Sequence, residues 1–394
     1  MKIAQVAPLY ESVPPTAYGG TERVVSYLTE ELVRRGHDVT LFASGDSVTR
    51  ARLVPCCKRS LRLDSDCQDQ LAYHCIMLDR VFQMANRFDL IHFHIDYLHF
   101  PLSQRLAPPH VSTLHGRLDL PDLQPLYRQF ANMPLISISD AQRKPLAWAN
   151  WQGTVYHGLP TDLHRFREQP GQYLAFLGRI SPEKRPDRAI EIACATEIPL
   201  RIAAKISNVD YQYYKDQIEP LIQRCGSLVE FIGEVGGQDK DDFLGNALAL
   251  LFPIDWPEPF GLVMIESMAC GTPVIAFPGG SVEEIMEDGK SGFIVSTVEE
   301  AVRAVGKLGS LPRASCREVF ERRFSAERMT EDYLAIYRRI VQRQRHRVPQ
   351  PIGEADGLGA PLRRIARTAN GTAAGFNGHS EGNERKVRGQ RLPG

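Results

Sequence analysis

The chain has 394 residues, two to three times the usual domain length, and 43% of them are hydrophobic, so two ordinary cores are the default expectation. Lys plus Arg balances Asp plus Glu at 47 each, which excludes a whole-chain charge attraction to nucleic acid or to an anionic membrane. No apolar stretch reaches the length of a bilayer span, MKIAQVAPLYES is too broken for a signal peptide, and the eight cysteines form no C-x2-C pair with zinc spacing. A cytoplasmic protein is expected, at most peripheral to the inner face of a membrane, with Cys56-Cys57 in an ordinary loop.

The run KIAQVA (2–7) predicts a first core strand. AYGGTERVV (17–25) follows, with Gly19 and Gly20 where the loop enters a helix over 21–36 and Thr21 placed to cap it. Glycines there let the backbone approach a phosphate or a sugar, although a simple turn explains them equally well. The stretch is not G-x-G-x-x-G, which counts against a nicotinamide enzyme. Strands are expected at 38–43, 89–94, 110–115, 135–139 and 154–158. His92 and His94 share one strand face and read as packing residues, because no third metal ligand accompanies them. His115, in STLHG (112–116), closes a strand at the edge that faces the ligand crevice of an open parallel sheet; a structural histidine is the rival reading.

GLPTDLHRFREQPGQ (158–172) is polar, carries Pro and Gly, and marks a seam. Beyond it, strands are expected at 173–178, 200–205, 229–235, 247–253, 273–277 and 292–296, with helices over 186–197 and 211–226. Near-continuous apolar strands between amphipathic helices predict an α/β fold of two doubly wound parallel sheets. The expected units are 1–165, 166–325, a last helix over 326–344, and a disordered basic tail over 345–394.

In FLGRISPEKRPDRAI (176–190), Arg179 and Lys184 follow a strand end and can clamp the phosphates of a leaving diphosphate; the alternative is a solvated loop in which Glu183 pairs one base. EPFGLVMIESMACGTPVIA (258–276) holds two carboxylates, Glu258 and Glu266, among apolar residues. With Pro259 opening a helix, Glu258 stands at its mouth and Glu266 about 12 Å along on roughly one face, the span from the sugar to the ribose of a nucleotide sugar. One carboxylate can take a ribose diol, the other sugar hydroxyls, and the N–H groups of Phe260, Gly261 and Leu262 can meet the diphosphate. Two surface glutamates eight apart are the bland alternative. The triplets Asp64-Ser65-Asp66 and Asp239-Lys240-Asp241 follow no apolar strand and read as exposed turns or helix starts, not metal sites.

The order Gly-Gly, Arg-x4-Lys, E-x7-E, with FDLIHFH, LISISDAQR and VYHGLPTDLHRF between, resembles the family 4 glycosyltransferases of GT-B fold, from residue 1 to about 343. The resemblance implies a retaining, metal-independent hexose transfer from a nucleoside diphosphate sugar to a hydroxyl acceptor (glycan, lipid or small molecule), with no cofactor and no nucleic acid. It implies that Arg179 and Lys184 bind the diphosphate, Glu258 the donor sugar, Glu266 the ribose, that Gly19 and Gly20 line the phosphate and acceptor side, that His115 reaches the donor sugar, and that the last helix crosses back to the first domain. His157-Gly158 stands where the family has Asn-Gly. The alternatives are a nucleotide-sugar epimerase of the same fold and a non-catalytic nucleotide-sugar-binding subunit. The basic helix end YRRIVQRQRHR (337–347) can touch anionic lipid or merely complement its own helix dipole.

Overall fold

Apolar runs too continuous for a half-exposed sheet demand cover on both faces, and they get it. The computed structural model describes residues 1–16 and 19–345; the basic tail expected beyond the last helix lies outside the described residues. The first sheet contains β1 (Lys2–Val6), β2 (Asp38–Ser44), β3 (Arg52–Cys57), β4 (Leu90–Phe93), β5 (His110–Thr113), β6 (Leu135–Ser137) and β7 (Trp151–Thr154). Its order is β3-β2-β1-β4-β5-β6-β7. The second contains β8 (Leu174–Arg179), β9 (Leu200–Lys205), β10 (Val229–Gly233), β11 (Ala249–Phe252), β12 (Val274–Ala276) and β13 (Gly292–Ile294), in the order β10-β9-β8-β11-β12-β13. Every ladder is parallel; Ile3 lies between Val39 and Leu90, and Leu174 between Leu200 and Ala249. Chain order reverses beside β1 and beside β8, so each sheet opens a crevice at its carboxyl edge there.

Three local expectations are corrected. RLVPCC forms an edge strand, so Cys56 and Cys57 are not in a loop; Pro55, which has no N–H to donate, fits an edge. The seventh strand is Trp151–Thr154, not 154–158, and the residues after it carry the crossing between lobes. The helix expected over 211–226 is broken into Tyr211–Tyr213, a π turn over Tyr214–Ile218, and Glu219–Cys225. Pro220 supplies the reason: it has no N–H for an α-helical bond four residues back.

The last helix, Ala326–Arg345, leaves the second lobe and packs on the first. Its Met329, Tyr333, Leu334 and Tyr337 join Ile3, Val24, Leu28 and Leu90 in one core. Where it departs, Leu159 and Ser325 bridge in parallel, and the Ala326 N–H donates to the Leu159 carbonyl at 2.8 Å. Two chain crossings therefore run side by side. Across the lobes, the Ser139 hydroxyl donates to the Pro259 carbonyl at 2.7 Å, and Glu284 accepts from the Asp140 and Ala141 N–H groups at 2.7 and 2.5 Å.

Candidate functional site

A cleft of about 860 Å³ lies between the carboxyl edges of the two sheets. Gly19, Gly20, Asp96 and His115 line it from the first lobe; Arg179, Lys184, Glu258, Gly261 and Glu266 line it from the second. The structure thus brings all the sequence-predicted site residues onto one cavity.

β11 ends in a buried, apolar Phe252, and the chain then turns through Ile254–Trp256 into Glu258. Glu258 is 8% exposed. Lys184 and the Trp256 indole N–H (3.0 Å) both donate to its Oε2, and among the described residues its Oε1 receives no hydrogen bond. The Lys184 ammonium also lies 4.7 Å from the Trp256 ring centroid. The backbone of this turn rests on Gly279 and Gly280: a Cβ on Gly280, where φ is +60°, would collide with the Glu258 main chain.

The helix begins at Leu262, not at Pro259, because Gly261 takes a left-handed conformation (φ 78°) at the N-cap. Glu258 therefore sits in the preceding loop, and Glu266 lies one turn inside an eight-residue helix that ends at Ala269. The Phe260 side chain is buried 4.7 Å from the His157 ring centroid, so only its backbone is available to a ligand. Glu266 is 4% exposed and accepts from the Lys240 ammonium at 2.5 Å. Burial alone would raise its carboxyl, but Lys240, helped by His164 and Arg23, holds it below the usual range.

Arg179 ends β8 and pairs with Glu183, with Asp210 3.4 Å away. Glu183 does hold one base, while the other, Lys184, turns to Glu258. On the opposite wall, Gly19 occupies the N-cap of the helix Gly20–Arg34 with φ 150°, so Thr21 is inside the helix and does not cap it. A Cβ on Gly19 would come within 2.8 Å of Pro15, and one on Gly20 within 3.4 Å of Leu262 across the cleft. The first glycine serves the turn and the second the approach of the lobes.

His115 is held on two sides. Its Nε2 lies 2.9 Å from His94 Nδ1, and its ring stacks on His157 at 5.3 Å and 18°. Burial pushes its pKa down to about 3, so the ring is neutral. His92 and His94 are wholly buried, as packing residues should be, and both are hydrogen-bonded.

Three functional candidates escaped the sequence reading. Lys240 lies inside the triplet read as exposed, yet it pairs with Glu266, and Asp241 beside it is buried. Trp256 holds both Glu258 and Lys184. Asp96, at φ 49° beyond β4, faces the cleft; its surface is exposed to the cleft's solvent, yet the enclosing walls raise its carboxyl to about 6 against the pull of the His115 backbone N–H. A charged residue just past a strand's carboxyl end was the available signal. His164, Asp241 and Cys270 also cluster closely enough for a metal ion. However, Asp241 accepts from the Arg165 N–H at 2.8 Å and has the Arg167 guanidinium 3.9 Å away, so its charge is already answered.

Two family models cover most of the chain: "Glycosyltransferase Family 4" matches residues 18–151 and "Glycosyl transferases group 1" matches 164–322. The chain belongs to these glycosyltransferases. This glycosyltransferase is 30% identical over 231 residues to the D-inositol 3-phosphate glycosyltransferase of Mycolicibacterium smegmatis, a match covering 54% of this chain and 48% of that protein. It spans about half the length of the curated relatives it matches. Among solved structures, it resembles a glycosyltransferase involved in avilamycin A biosynthesis (TM-score 0.67, 24% identity, 87% of this chain and 98% of that one). It also resembles Anabaena HepE in complex with UDP-glucose (TM-score 0.64, 18% identity, 87% and 99%). These likenesses establish the GT-B fold.

Proposed function

We propose that the chain transfers a hexose from a nucleoside diphosphate sugar to a hydroxyl acceptor, with retention at the anomeric carbon and without a metal ion. One observation carries the reading: two buried carboxylates, Glu258 and Glu266, each held by a lysine from another element, line the same cleft. Folding alone gives no reason to bury two such pairs, since desolvating charges costs free energy that the pairing must return. The name of the Mycolicibacterium relative supports glycosyl transfer, and the UDP-glucose in HepE supports a nucleoside diphosphate sugar as donor.

In this proposal the ionised Glu266 accepts from the ribose diol. Arg179 and Lys184 neutralise the diphosphate as it departs, Lys184 exchanging the Glu258 oxygen for a phosphate oxygen. The N–H groups at Gly261 and Leu262, where the helix has no partners of its own to offer them, meet the same anion. The unbonded Oε1 of Glu258 takes sugar hydroxyls. The acceptor enters past Gly19, Gly20 and Asp96. A departing phosphate oxygen removes its proton on the same face of the sugar, so no protein nucleophile is needed and retention follows. Cations already in place do the work that a divalent ion does elsewhere.

Thermal stabilisation against UDP-, GDP- and ADP-glucose tests the donor site, because a ligand specific for the native state must raise its melting point. Absence of stabilisation by every nucleotide sugar refutes the reading. Turnover that vanishes with a chelator and returns with Mn²⁺ refutes metal independence. Release of free nucleotide without an acceptor would favour an epimerase, and binding without any turnover a non-catalytic subunit. Contact of the basic helix end with anionic lipid is a separate part of the proposal. Its Arg339 already donates to the Gln152 carbonyl, so liposome binding at low salt, lost at high salt, is the deciding assay.

A further inference from the structure

The buried polar groups behind His115 form a single line. His115 Nε2 lies 2.9 Å from His94 Nδ1, and His94 Nε2 lies 2.8 Å from Gln5 Oε1. Gln5 Nε2 donates to the Tyr337 hydroxyl at 3.3 Å, which is 2.6 Å from His92 Nδ1. His92 Nε2 is 2.7 Å from the Thr113 hydroxyl, and that hydroxyl donates to Tyr333 at 3.2 Å. Each neutral imidazole carries one proton, so each can donate at one nitrogen only.

The Gln5 amide turns its oxygen to His94 and its nitrogen to Tyr337, and this orientation sets the direction; the opposite one would reverse every bond and strand a proton on His115 Nδ1. The amide oxygen can only accept, so His94 carries its proton on Nε2 and leaves Nδ1 bare. Bare Nδ1 accepts from His115, which must then carry its proton on Nε2. On the other side, the Gln5 amide donates to Tyr337. Thr113 spends its proton on Tyr333, so it accepts from His92 Nε2; His92 Nδ1 is then bare and accepts from the Tyr337 O–H. All six bonds are made with no donor facing a donor, and every donor points away from the cleft. The six side chains behind His115 are fully buried or nearly so. Burial holds His92, His94 and His115 neutral, the state this accounting requires.

We propose that Gln5 and Tyr337 are positioning residues that fix His115 in its Nε2–H tautomer through His94, so that the last helix, though it lines no part of the cleft itself, sets the face that His115 presents there. His115 Nδ1 is buried and has no partner among the described residues; it is unpaired in either tautomer, and a stranded N–H donor there is the rarer and costlier case than a bare acceptor. The ring is thereby a neutral, fixed surface stacked on His157. Its relevance to catalysis rests on the transferase reading, in which positive charge develops on the sugar and a neutral neighbour adds no repulsion. Tyr337 lies 332 residues from Gln5 in sequence, so a residue of the last helix determines a proton position beside the first sheet.

The test is long-range ¹H–¹⁵N correlation on the full chain labelled at histidine nitrogens, with no nucleotide added, and with His115 assigned by its absence in His115→Asn. The expected result is a protonated Nε2 and an unprotonated Nδ1 in the parent, held from pH 6 to 8. Gln5→Leu should replace the single tautomer by exchange between two. Tyr337→Phe, which deletes one oxygen and preserves the ring, should broaden the His94 and His115 signals in the same direction. A parent His115 protonated on Nδ1, or on both nitrogens, overturns the proposal. So does an unchanged single tautomer in folded Gln5→Leu or, should that variant not fold, in Tyr337→Phe. Because no donor enters the experiment, failure of nucleotide sugars to bind would sink the transferase reading and leave this result standing.

Discussion

Lys240→Met isolates the physical claim on which the proposed donor site depends. The substitution keeps most of the length of the side chain and removes its charge, leaving Glu266 buried without its counter-ion. In the parent, the ammonium lies 2.5 Å from Glu266 Oε1, and the two side chains are 14% and 6% exposed. Removing one partner of a buried pair costs about 3–5 kcal/mol, and the opening onto the cleft sets the expectation near the lower bound, about 3 kcal/mol at pH 8. The sign with pH follows from linkage. In the parent, the folded carboxyl sits below its ordinary 4.5, so the pair's contribution is present above that value and disappears as pH falls through the folded pKa. In the variant, burial without Lys240 moves the folded pKa above that of the unfolded chain, so the deficit is full at pH 8 and shrinks as pH falls toward 5 and the carboxyl takes up a proton. Urea denaturation of parent, Lys240→Met and Lys240→Met/Glu266→Gln at pH 8 and pH 5 measures this, with the double variant expected to recover most of the loss. A single-variant deficit under 1 kcal/mol, or one that does not change with pH, refutes the reasoning.

Glu258→Gln keeps the acceptor for Trp256 but loses the charge; turnover should fall at least about 100-fold with the near-ultraviolet circular dichroism unchanged, and activity within threefold of the parent removes Glu258 from the mechanism. Gly280→Ala should destabilise the fold by more than 1 kcal/mol and weaken donor binding together, since the new methyl must push the Glu258 backbone; an unaffected melting point and affinity contradict this. Asp96 has its folded pKa raised from 3.8 to about 6, so the native state binds the proton more tightly than the unfolded chain and stability falls as pH rises from 4 to 6, by less than that shift alone would give because the residue is exposed to solvent. Asp96→Asn should flatten that part of the stability profile, and an identical slope in both proteins means that the carboxyl is solvated.

The two sheets were legible because a parallel strand buried on both faces has little choice of composition, and runs such as YLAFLG and ALALLFP leave no other reading. β3 was hidden by the opposite circumstance: RLVPCC is only half buried and carries a proline, as an edge permits. Site residues that stand at strand ends could be placed by topology alone, which is why Arg179 and His115 were found. Lys240 was not, because its role depends on the turn of one helix against another, and a flanking Asp on each side disguised it as solvated surface. The helix start is expected too early because Pro259 is a good first helical residue, whereas Gly261, without a Cβ, adopts a left-handed conformation that delays the helix to Leu262. Pairing of Lys184 with Glu258 rather than Glu183 is a tertiary choice that spacing cannot express.

The return of the last helix has a consequence for synthesis. Ile3, Leu28 and Leu90 share their core with Tyr333 and Tyr337, so the first lobe, made before the second, cannot finish burying its own apolar surface. It must wait, incompletely covered, until nearly all of the second lobe has been made. An isolated amino-terminal half would therefore be an unfinished object, and the moment the closing segment docks is also the moment Tyr337 and Tyr333 reach the buried polar groups behind His115.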